Sequence, residues 1–317
     1  EGVCDFVGLS RQHLAEPQWT KKVATGREDE LRTCISCLHC MAEFIAGRIP
    51  TCSVNPRLGR EREFSEIKKD GAGRTVVVIG GGPGGLEAAR VLAERGFRVT
   101  LFEKSAELGG QLNYANKPHL KEKITWLKQG MEAQVRKAGV DIRLNTEATV
   151  ENVQALQPVG VFLCVGSVPL RPAAIRGIDG ANVCTVPEVL SGQKNLDGKT
   201  VVIVGTGLAG LETGVFLGDR GCKLSFIEMQ ETVGPGIFGQ VLEDVQNELK
   251  PFNPSFYPGH TLVAIDANGV EAQNKEGQTV HFPADAVVLA MGVKPRQDMI
   301  ETFQNSFEKV VLVGDAI

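Results

Sequence analysis

Four cysteines lie close together near the start of the chain and could bind a metal centre. Cys34, Cys37 and Cys40 form two Cys-x2-Cys steps that share a residue, and Cys52 follows after eleven further residues. Thiolates held on a tight loop, joined by one more from a distance, are typical of a 4Fe-4S cluster. Zinc ligands more often come in two well-separated pairs, so a structural zinc ion is the less favoured alternative and unliganded thiols are the third. We expect His39, inside the loop, to be a surface or neighbouring residue and not a ligand.

A glycine-rich stretch after the β-branched residues 75–79 forms a second candidate site. Gly80, Gly82 and Gly85 have the G-x-G-x-x-G spacing, and a helical pattern follows them. The first glycine permits a tight turn, the second lets the backbone approach a pyrophosphate, and the third lets the helix pack close to the strand. Glu103 closes the next predicted strand, where its carboxylate can accept the hydroxyl groups of a ribose. The flanking patterns favour this interpretation over a glycine-rich surface loop.

The same pattern recurs 125 residues later, after a second β-branched run. The matched pairs are Gly80 with Gly205, Gly82 with Gly207, Gly85 with Gly210, Glu87 with Glu212, Gly96 with Gly221, and Glu103 with Glu228. With one further residue, residues 166–169 match residues 292–295. Chance rarely keeps so many positions in register, so the chain is predicted to hold two dinucleotide-binding domains of one design.

The residues around Glu228 indicate which nucleotide the second domain takes. Met-Gln-Glu follows Glu228, with no Arg or Lys close behind in the sequence. Acid at this position would repel a 2′-phosphate, which favours NAD over NADP, although a solvated glutamate at a strand end is the alternative for Glu228 alone. Two nucleotide sites beside an iron–sulfur loop also suggest a flavin. A nicotinamide releases two electrons together and a cluster accepts one at a time, whereas a flavin can do both.

The whole-chain properties indicate an ordinary α/β protein of about two domains. The chain has 317 residues and a net charge of −4, which indicates neither a nucleic-acid nor a membrane partner. No apolar run approaches the ~20 residues that a membrane-spanning helix needs, and the clustered cysteines are expected in a cytoplasmic protein. Because the chain begins at Glu1 and its last predicted strand has no helix after it, we expect a fragment of a longer protein.

Local patterns predict the remaining elements. We expect a short apolar strand over residues 2–11 and a small antiparallel layer over residues 261–283. Residues 118–139 place apolar side chains at steps of three and four, which predicts an amphipathic helix with Trp126 in its packing. The apolar positions are Leu120, Ile124, Leu127, Met131 and Val135. Cys164 alternates with apolar neighbours and is expected to be a small core residue.

Together these motifs resemble a known family. The cysteine spacing, Val54-Asn-Pro-Arg57, the first glycine loop and Leu108-Gly-Gly-Gln111 are similar to the C-terminal part of iron–sulfur flavoenzymes related to old yellow enzyme. That group includes 2,4-dienoyl-CoA reductase, 2-enoate reductase, trimethylamine dehydrogenase and NADH oxidases. The resemblance covers nearly the whole chain. It implies two Rossmann-like domains of the pyridine nucleotide-disulfide reductase type, preceded by an iron–sulfur segment and a remnant of a TIM barrel.

The resemblance implies domain limits and site residues. Residues 1–33 would end an FMN-binding barrel, 34–72 would bind the 4Fe-4S cluster, 73–197 and 296–317 would bind FAD, and 198–295 would bind NAD(H). The implied ligands are Cys34, Cys37, Cys40 and Cys52 for the cluster; Gly80, Gly82, Gly85, Glu103, Lys104, Gln111 and Asp315 for FAD; and Gly205, Gly207, Gly210 and Glu228 for NADH. Gly8 and Arg11 match the barrel strand that grips the FMN phosphate. FMN is therefore expected only in the full-length parent.

The implied function is an NADH-dependent flavin and iron–sulfur oxidoreductase, of which this chain would be the electron-input module. The parent would reduce an unsaturated acid or thioester in its barrel, and homo-oligomers are compatible with the group. No catalytic side chain is predicted in this chain. In members like trimethylamine dehydrogenase the second nucleotide site has lost its redox role, but here its glycines and Glu228 are intact. Two alternatives stay open: a freestanding electron-transfer subunit like the small chain of glutamate synthase, and a non-catalytic protein with a Cys4 zinc site.

Overall fold

The computed structural model describes residues 3–317, so the first two residues of the predicted barrel remnant lie outside the described residues. The α-helices of this part are α1 (Arg11–Ala15), α2 (Trp19–Ala24), α3 (His39–Ile45), α4 (Pro83–Glu94), α5 (Leu112–Ala115), α6 (Glu122–Lys137), α7 (Val150–Gln154), α8 (Val186–Leu190), α9 (Leu208–Gly218), α10 (Gly239–Leu249) and α11 (Gln297–Ser306). Short 3₁₀ turns lie at Glu28–Glu30, Lys250–Phe252 and Gly314–Ala316.

The strands of the described part are β1 (Thr75–Ile79), β2 (Arg98–Phe102), β3 (Asp141–Arg143), β4 (Val161–Leu163), β5 (Ser167–Pro169), β6 (Val183–Thr185), β7 (Thr200–Val204), β8 (Lys223–Ile227), β9 (Ser255–Tyr257), β10 (Thr261–Asp266), β11 (Gly269–Gln273), β12 (Thr279–Pro283), β13 (Ala286–Leu289), β14 (Val293–Pro295) and β15 (Val310–Leu312). The chain divides into two compact units. The first comprises Glu1–Leu112, Lys121–Gly166 and Pro295–Ile317, and the second comprises Asn113–Leu120 and Ser167–Lys294.

The first unit is built on a five-stranded parallel sheet in the order β15-β4-β1-β2-β3. Its central strand β1 consists of β-branched residues that fit a sheet covered on both faces. Val76 and Val78 pack into one core, whereas Val77 and Ile79 pack into another on the opposite face. The first glycine loop follows this central strand, so the buried strand fixes where the loop begins.

The second unit repeats this design with the order β6-β13-β7-β8-β9, also parallel throughout. The match extends to strand register. Thr75 pairs with Arg98 in the first sheet, and Thr200 pairs with Lys223 in the second, which is the same pairing shifted by 125. An antiparallel layer of β10, β11 and β12 completes the unit and agrees with the turns predicted around Gly269 and Gly277. The predicted fold class, two Rossmann-like domains of one design, is confirmed.

The structure differs from the sequence expectations in the limits of the two units. Residues 167–197, which the sequence analysis assigned to the FAD-binding domain, lie in the second unit. The physical reason is the pairing of β6 with β13, because this ladder completes the outer edge of the second sheet. The corresponding edge of the first sheet is filled from the far end of the chain, by β15.

Two local expectations are also corrected, the strand over residues 2–11 and the helical position of Leu120, whereas Trp126 agrees with the expected packing at the edge of the core. Residues 3–10 form no strand in the described part of the chain, and Phe6 is exposed, because no neighbouring strand offers its backbone a hydrogen-bonding partner. Leu120 lies outside the amphipathic helix with a φ of 60°, and it is exposed. Trp126 lies within α6 with half of its surface exposed, and Leu127, Met131 and Val135 are buried as expected.

No helix within residues 3–317 has the length and apolar character needed to cross a membrane.

Candidate functional site

The first glycine loop needs glycine at two positions for steric reasons. Gly80 has a φ of 104°, and a Cβ there would lie 2.3 Å from the carbonyl oxygen of Cys164. A Cβ on Gly85 would lie 1.8 Å from the carbonyl oxygen of Gly80. No side chain can be accommodated at such distances, so these glycines let the first turn of α4 pack directly against the strand ends.

Gly82 differs from its neighbours because a side chain there would point into open space. The nearest heavy atom to a Cβ on Gly82 would be the Cα of Gly110, 3.9 Å away. Gly82 is also the N-cap of α4, and no side chain caps this helix. The first backbone N–H groups of this 12-residue helix therefore have no side-chain cap, and the space beside Gly82 is open. A pyrophosphate bound at a helix N-terminus needs an open space of this kind.

Glu103 lies beside this loop at the end of β2, and its side chain is buried. Its Oε2 accepts a hydrogen bond from the backbone N–H of Gly81 at 2.7 Å, and its Oε1 accepts one from Ser105 at 2.8 Å. These bonds fix the carboxylate while each oxygen keeps a second lone pair for a ribose hydroxyl. The structure thus brings the predicted acid and the predicted glycine loop together.

Two further predicted flavin residues lie on segments next to this loop. Lys104 follows Glu103 directly and is exposed. Gln111 is also exposed and follows a turn that contacts the loop, because Gly109 donates its backbone N–H to the carbonyl oxygen of Gly81 at 2.8 Å. Both long side chains are therefore attached to backbone that the glycine loop holds in place.

Asp315 is the predicted flavin residue that comes from the far end of the chain. It lies in the 3₁₀ turn Gly314–Ala316, directly after β15, and is exposed. Val313 brings this segment to the glycine loop, since a Cβ on Gly84 would lie 3.4 Å from its side chain. The pairing of β15 with β4 therefore places a carboxylate near the start of α4 although more than two hundred residues separate them in sequence.

The second glycine loop repeats the geometry of the first. Gly205 has a φ of 103°, and a Cβ there would lie 2.4 Å from the carbonyl oxygen of Ala290. A Cβ on Gly210 would lie 2.3 Å from the carbonyl oxygen of Gly205. Gly207 is the N-cap of α9, again without a side-chain cap, and a Cβ there would meet nothing within 4 Å. Both loops therefore have a glycine in the middle whose open side suits a pyrophosphate.

Glu228 occupies the place in the second unit that Glu103 has in the first. It is buried, and its Oε2 accepts hydrogen bonds from the backbone N–H and the hydroxyl group of Thr206, at 2.9 and 2.8 Å. Its Oε1 accepts one from the N–H of Gln230 at 2.9 Å. Sequence reasoning missed Thr206. Its position between the first two glycines of the loop, where the first unit has Gly81, was the available signal.

A lysine that is distant in sequence lies near this acid. Lys275, in the turn between β11 and β12, forms an ion pair with Glu231, three residues after Glu228. Both side chains are more than half exposed, so the pair is screened by solvent. The expectation that no cation lies close behind Glu228 holds along the sequence but not in space.

The cysteine segment, defined as residues 34–52, lies in the first unit. Cys34, Cys40 and Cys52 are half-buried, Cys37 is exposed, and all four thiols are free of disulfides. Ser36 and Leu38, the neighbours of Cys37, have φ values of 57° and 56°. These two left-handed residues, one on each side of Cys37, turn the backbone sharply and keep the first three cysteines on a tight loop.

The described residues contain no group of three or more His, Cys, Asp or Glu side chains arranged to share a metal ion. The donor chemistry nevertheless suits an iron–sulfur cluster, because four thiols and no oxygen ligands make up the set. Burial raises the pKa of Cys52, the N–H groups of Val54 and Asn55 lower it, and the nearby thiols of Cys37 and Cys34 raise it. Backbone N–H groups directed at a ligand sulfur are a feature that tunes such clusters.

Cys164, Cys184 and Cys222 lie within or directly next to strands of the two sheets, and all three are buried. Burial raises the pKa of Cys164 to about 12 and that of Cys184 to about 11, and it also raises the pKa of Cys222. Burial thus disfavours the thiolate form of all three side chains, which is the nucleophilic form of a cysteine. Cys164 is a small core residue, as the sequence indicated.

A buried ionic cluster beside the first glycine loop was missed by the sequence analysis. Glu87, on α4, contacts Arg32 at 2.5 Å and Arg90 at 2.6 Å. Burial alone would raise the pKa of Glu87, but hydrogen bonds and charge from Arg90 and Arg32 outweigh it and lower this pKa from 4.5 to about 2. The i, i+3 spacing of Glu87 and Arg90 was a signal in the sequence, whereas the contact with Arg32 required the fold.

We expect this cluster to stabilise the first unit in a pH-dependent way. A carboxyl group with a lowered pKa contributes stability above its unfolded pKa, and loses it as the pH falls towards the folded value. The contribution of Glu87 should therefore be complete above pH 4.5 and disappear towards about pH 2, with a size of roughly 3 kcal/mol. Chemical unfolding of wild type and Glu87→Gln across this range should show a stability difference that narrows on acidification. A difference that stays constant would contradict the assignment.

The two residues matched to an FMN phosphate site lie near the start of the described chain. Gly8 is part of the segment without regular structure, and a Cβ there would meet nothing within 4 Å. Arg11 is the first residue of α1. A role for either in FMN binding stays a prediction.

The comparison with known proteins decides the family. The sequence pattern of pyridine nucleotide-disulphide oxidoreductases matches residues 74–309, which is most of the chain. The chain belongs to this family. The matched range runs from the residue before β1 to the residue before β15, so it contains both glycine loops and both buried acids.

Two curated relatives resemble the chain over nearly its full length. It is 37% identical to an NADH oxidase of Thermoanaerobacter brockii, over 100% of this chain and 49% of that protein. It is 32% identical to a cinnamate reductase of Clostridium sporogenes, over 99% of this chain and 47% of that protein. The chain thus spans about half the length of the curated relatives it matches.

A solved structure shows the same architecture. A 2-naphthoyl-CoA reductase in complex with 2-naphthoyl-CoA matches 99% of this chain and 48% of that chain, with a TM-score of 0.94 and 29% sequence identity. Together with the two curated relatives, this match confirms the resemblance to iron–sulfur flavoenzymes of the NADH oxidase and enoate reductase type.

Proposed function

We propose that the chain is the NADH-oxidising, electron-input part of an iron–sulfur flavoenzyme that reduces an unsaturated acid or thioester. One observation carries this proposal: two loops of the same geometry each combine an open glycine, Gly82 or Gly207, with a buried acid, Glu103 or Glu228. Two such sites suit two nucleotides. The relatives named NADH oxidase and cinnamate reductase support the direction of electron flow from NADH towards an unsaturated substrate.

In this proposal the first unit binds FAD and the second binds NAD(H). Gly80, Gly82 and Gly85 would hold the FAD pyrophosphate, and Glu103 its ribose; Lys104, Gln111 and Asp315 would line the same site. Gly205, Gly207, Gly210 and Glu228 would hold NADH in the corresponding way. A bound flavin supplies the chemistry that links a two-electron donor to a one-electron acceptor.

The four cysteines are proposed as the 4Fe-4S ligands, and the rest of the relatives' length as the source of FMN and substrate sites. The residues of this chain would bind and orient the two nucleotides, and no acid or base is needed here for hydride transfer. Substrate protonation would take place outside this chain. The cytoplasmic location and a homo-oligomeric state stay predictions.

Reduction of a disulfide, which the family's description includes, receives no support from the residues near the first glycine loop. Cys164, whose carbonyl oxygen faces Gly80, has a buried thiol with a pKa of about 12. A thiol that stays protonated at neutral pH cannot attack or release a disulfide sulfur. The proposal therefore favours electron delivery to the cysteine segment over disulfide chemistry at this loop.

The proposal is tested by anaerobic reconstitution with iron, sulfide and FAD, followed by titration with NADH. We expect the visible absorption band of the flavin to bleach first and the absorption of the iron–sulfur cluster to decrease afterwards. Gly207→Ala serves as the control, because it should keep both absorbing groups but lose the response to NADH. A wild-type flavin that NADH fails to bleach would refute the proposed function.

Nucleotide selectivity provides a finer prediction. Because Lys275 is paired with Glu231, it does not attract a 2′-phosphate in the wild type, and NADH should be preferred. Glu231→Gln should release the lysine and raise relative affinity for NADPH by about threefold to tenfold at low salt, with less effect at high salt. Lys275→Gln should lower the affinity for NADPH relative to NADH. Fluorescence titrations with both nucleotides would measure this, and equal NADPH affinity in the two variants would exclude the pair as a determinant.

A further inference from the structure

A single guanidinium group connects both ends of the cysteine segment to the helix of the first glycine loop. Arg32 precedes Cys34 by two residues. Its Nη1 donates a hydrogen bond to the carbonyl oxygen of Val54 at 2.6 Å, two residues beyond Cys52. Its Nη2 donates to the carboxylate of Glu87, on α4, at 2.5 Å. One side chain thus holds the stretch before the first cysteine, the stretch after the last, and the helix.

The contact is buried, which gives it both strength and precision. The side chain of Arg32 is 8% exposed and that of Glu87 is 20% exposed. Glu87 also accepts two hydrogen bonds from Arg90, at 3.1 and 2.6 Å, so its oxygens are occupied. In such surroundings a charge that loses its partner is costly, because water cannot replace the lost interaction.

The same face of α4 makes a second contact with the stretch after Cys52. Arg90 pairs with Glu94, one turn further along the helix, and Glu94 lies 3.6 Å from Arg57. The helix therefore presents alternating charges at steps of three and four residues. The stretch after Cys52 is therefore held at two points. Arg32 binds the carbonyl oxygen of Val54, and Glu94 pairs with Arg57.

Hydrogen bonds from Gln12 and Lys123 fix the start of the cysteine segment. The side-chain amide of Gln12 donates to the carbonyl oxygen of Arg32 at 3.0 Å, and its oxygen accepts the backbone N–H of Cys34 at 2.9 Å. Lys123, on α6, donates to the hydroxyl of Ser36 at 2.9 Å. These bonds order the loop locally, whereas the Arg32–Glu87 pair connects it to the helix that begins at the first glycine loop.

We propose that Arg32 and Glu87 are positioning residues, which hold the cysteine segment against α4 so that a cluster and a dinucleotide bound there stay at a set separation. Glu87 is two residues beyond Gly85, so a shift of the pair moves the cysteine segment relative to the dinucleotide cradle. This inference rests on the proposed function for its cofactors, but the contacts themselves belong to the protein alone.

The first test uses the protein without cofactors. Arg32→Lys retains the charge but reaches only one of the two acceptors, and Glu87→Gln retains the shape without the charge. Both variants should increase amide hydrogen exchange across residues 34–57 and speed tryptic cleavage after the exposed Arg48. Glu212→Gln is the matched control, because Glu212 occupies the equivalent position on α9 in the second unit; it should leave residues 34–57 as protected as in wild type.

The second test uses the reconstituted protein in anaerobic stopped flow. NADH should bleach the flavin at a rate within about twofold of wild type in Arg32→Lys and Glu87→Gln, since the second unit is untouched. The following absorption decrease of the cluster, as it gains one electron from the flavin, should slow by about tenfold or more, as misplaced reaction partners do. A pair that only stabilised the fold would leave the ratio of the two rates unchanged.

The outcomes of these two tests support or overturn the positioning role of Arg32 and Glu87. Unchanged exchange in both variants, or an unchanged ratio of the two rates, overturns the positioning role. If a variant loses its iron during reconstitution, the exchange experiment on the cofactor-free protein decides in its place. A wild-type protein that NADH cannot reduce would refute the proposed function, while the exchange experiment would still test the positioning contact.

Discussion

Gly82→Ala is expected to leave the protein without FAD but with a fold as stable as the wild type. Gly82 has φ −72° and ψ 179°, a conformation open to any residue, and a Cβ there would meet no heavy atom closer than 3.9 Å. The methyl group therefore strains nothing and should stabilise the fold by about 0.5 kcal/mol through the unfolded state. It fills the space needed by a pyrophosphate, so FAD affinity should fall by at least about a hundredfold.

Gly85, three positions further along the same loop, is expected to respond differently to the same substitution. Gly85→Ala would place its Cβ 1.8 Å from the carbonyl oxygen of Gly80, so β1 and α4 would have to separate. We expect this variant to lose at least about 3 kcal/mol of stability whether or not FAD is present. The second unit offers the same pair: Gly207→Ala should abolish NADH binding at unchanged stability, and Gly210→Ala should destabilise the fold.

Flavin content, thermal unfolding of the cofactor-free protein and NADH titration would measure all four variants. Each variant should lose one nucleotide and keep the other: Gly207→Ala must retain FAD, and Gly82→Ala must retain NADH binding. If Gly82→Ala kept a full complement of FAD, the first loop would not hold the pyrophosphate. If it lost NADH instead, the assignment of the two nucleotides would have to be reversed.

Loss of iron is the second large effect that we expect. Replacing any one of Cys34, Cys37, Cys40 or Cys52 by serine should prevent the retention of iron and sulfide after anaerobic reconstitution, because a cluster of this type uses four thiolates. Removing the metal should also loosen the cysteine segment, whose two ends are otherwise joined by Arg32 through Val54. FAD content should stay close to that of wild type, since Glu103 and the glycine loop do not depend on these thiols.

Cys4→Ser is the matched control for this series. Cys4 is exposed, close to the segment in sequence and free of disulfides, so the variant should retain iron fully. Metal analysis distinguishes the cluster from the alternative of a non-catalytic Cys4 zinc site. Zinc in place of iron, with no visible iron–sulfur absorption after purification without oxygen, would favour a structural Cys4 site and contradict electron transfer through this segment.

Much of the fold, and the placement of each glycine loop beside a buried acid, could be predicted from the sequence, because these signals are local. A β-branched strand, glycines at set spacing and an acid at the end of the next strand occupy fewer than thirty residues in each unit. The repeat at 125 residues supports the prediction of two domains of one design. The structure agrees, because the Thr75–Arg98 and Thr200–Lys223 pairs have the same strand register. Two stretches with the same pattern form the same ladder.

What the sequence could not indicate depends on contacts between distant segments. The edge strand β6 belongs to the second unit because it pairs with β13, and three residues of extended chain carry no signal for that choice. Lys275 contacts Glu231 because the turn between β11 and β12 lies beside the segment that follows β8. Arg32 meets Glu87 across 55 positions of chain.

The sequence by itself therefore determined which chemical groups are candidates in this protein: four clustered thiols, two glycine loops and the acids beside them. The tertiary structure alone decided how these parts are held together. Spacing within one strand, loop and helix is set by local geometry, whereas the partner of a buried charge is set by the packing of elements that are far apart in the chain.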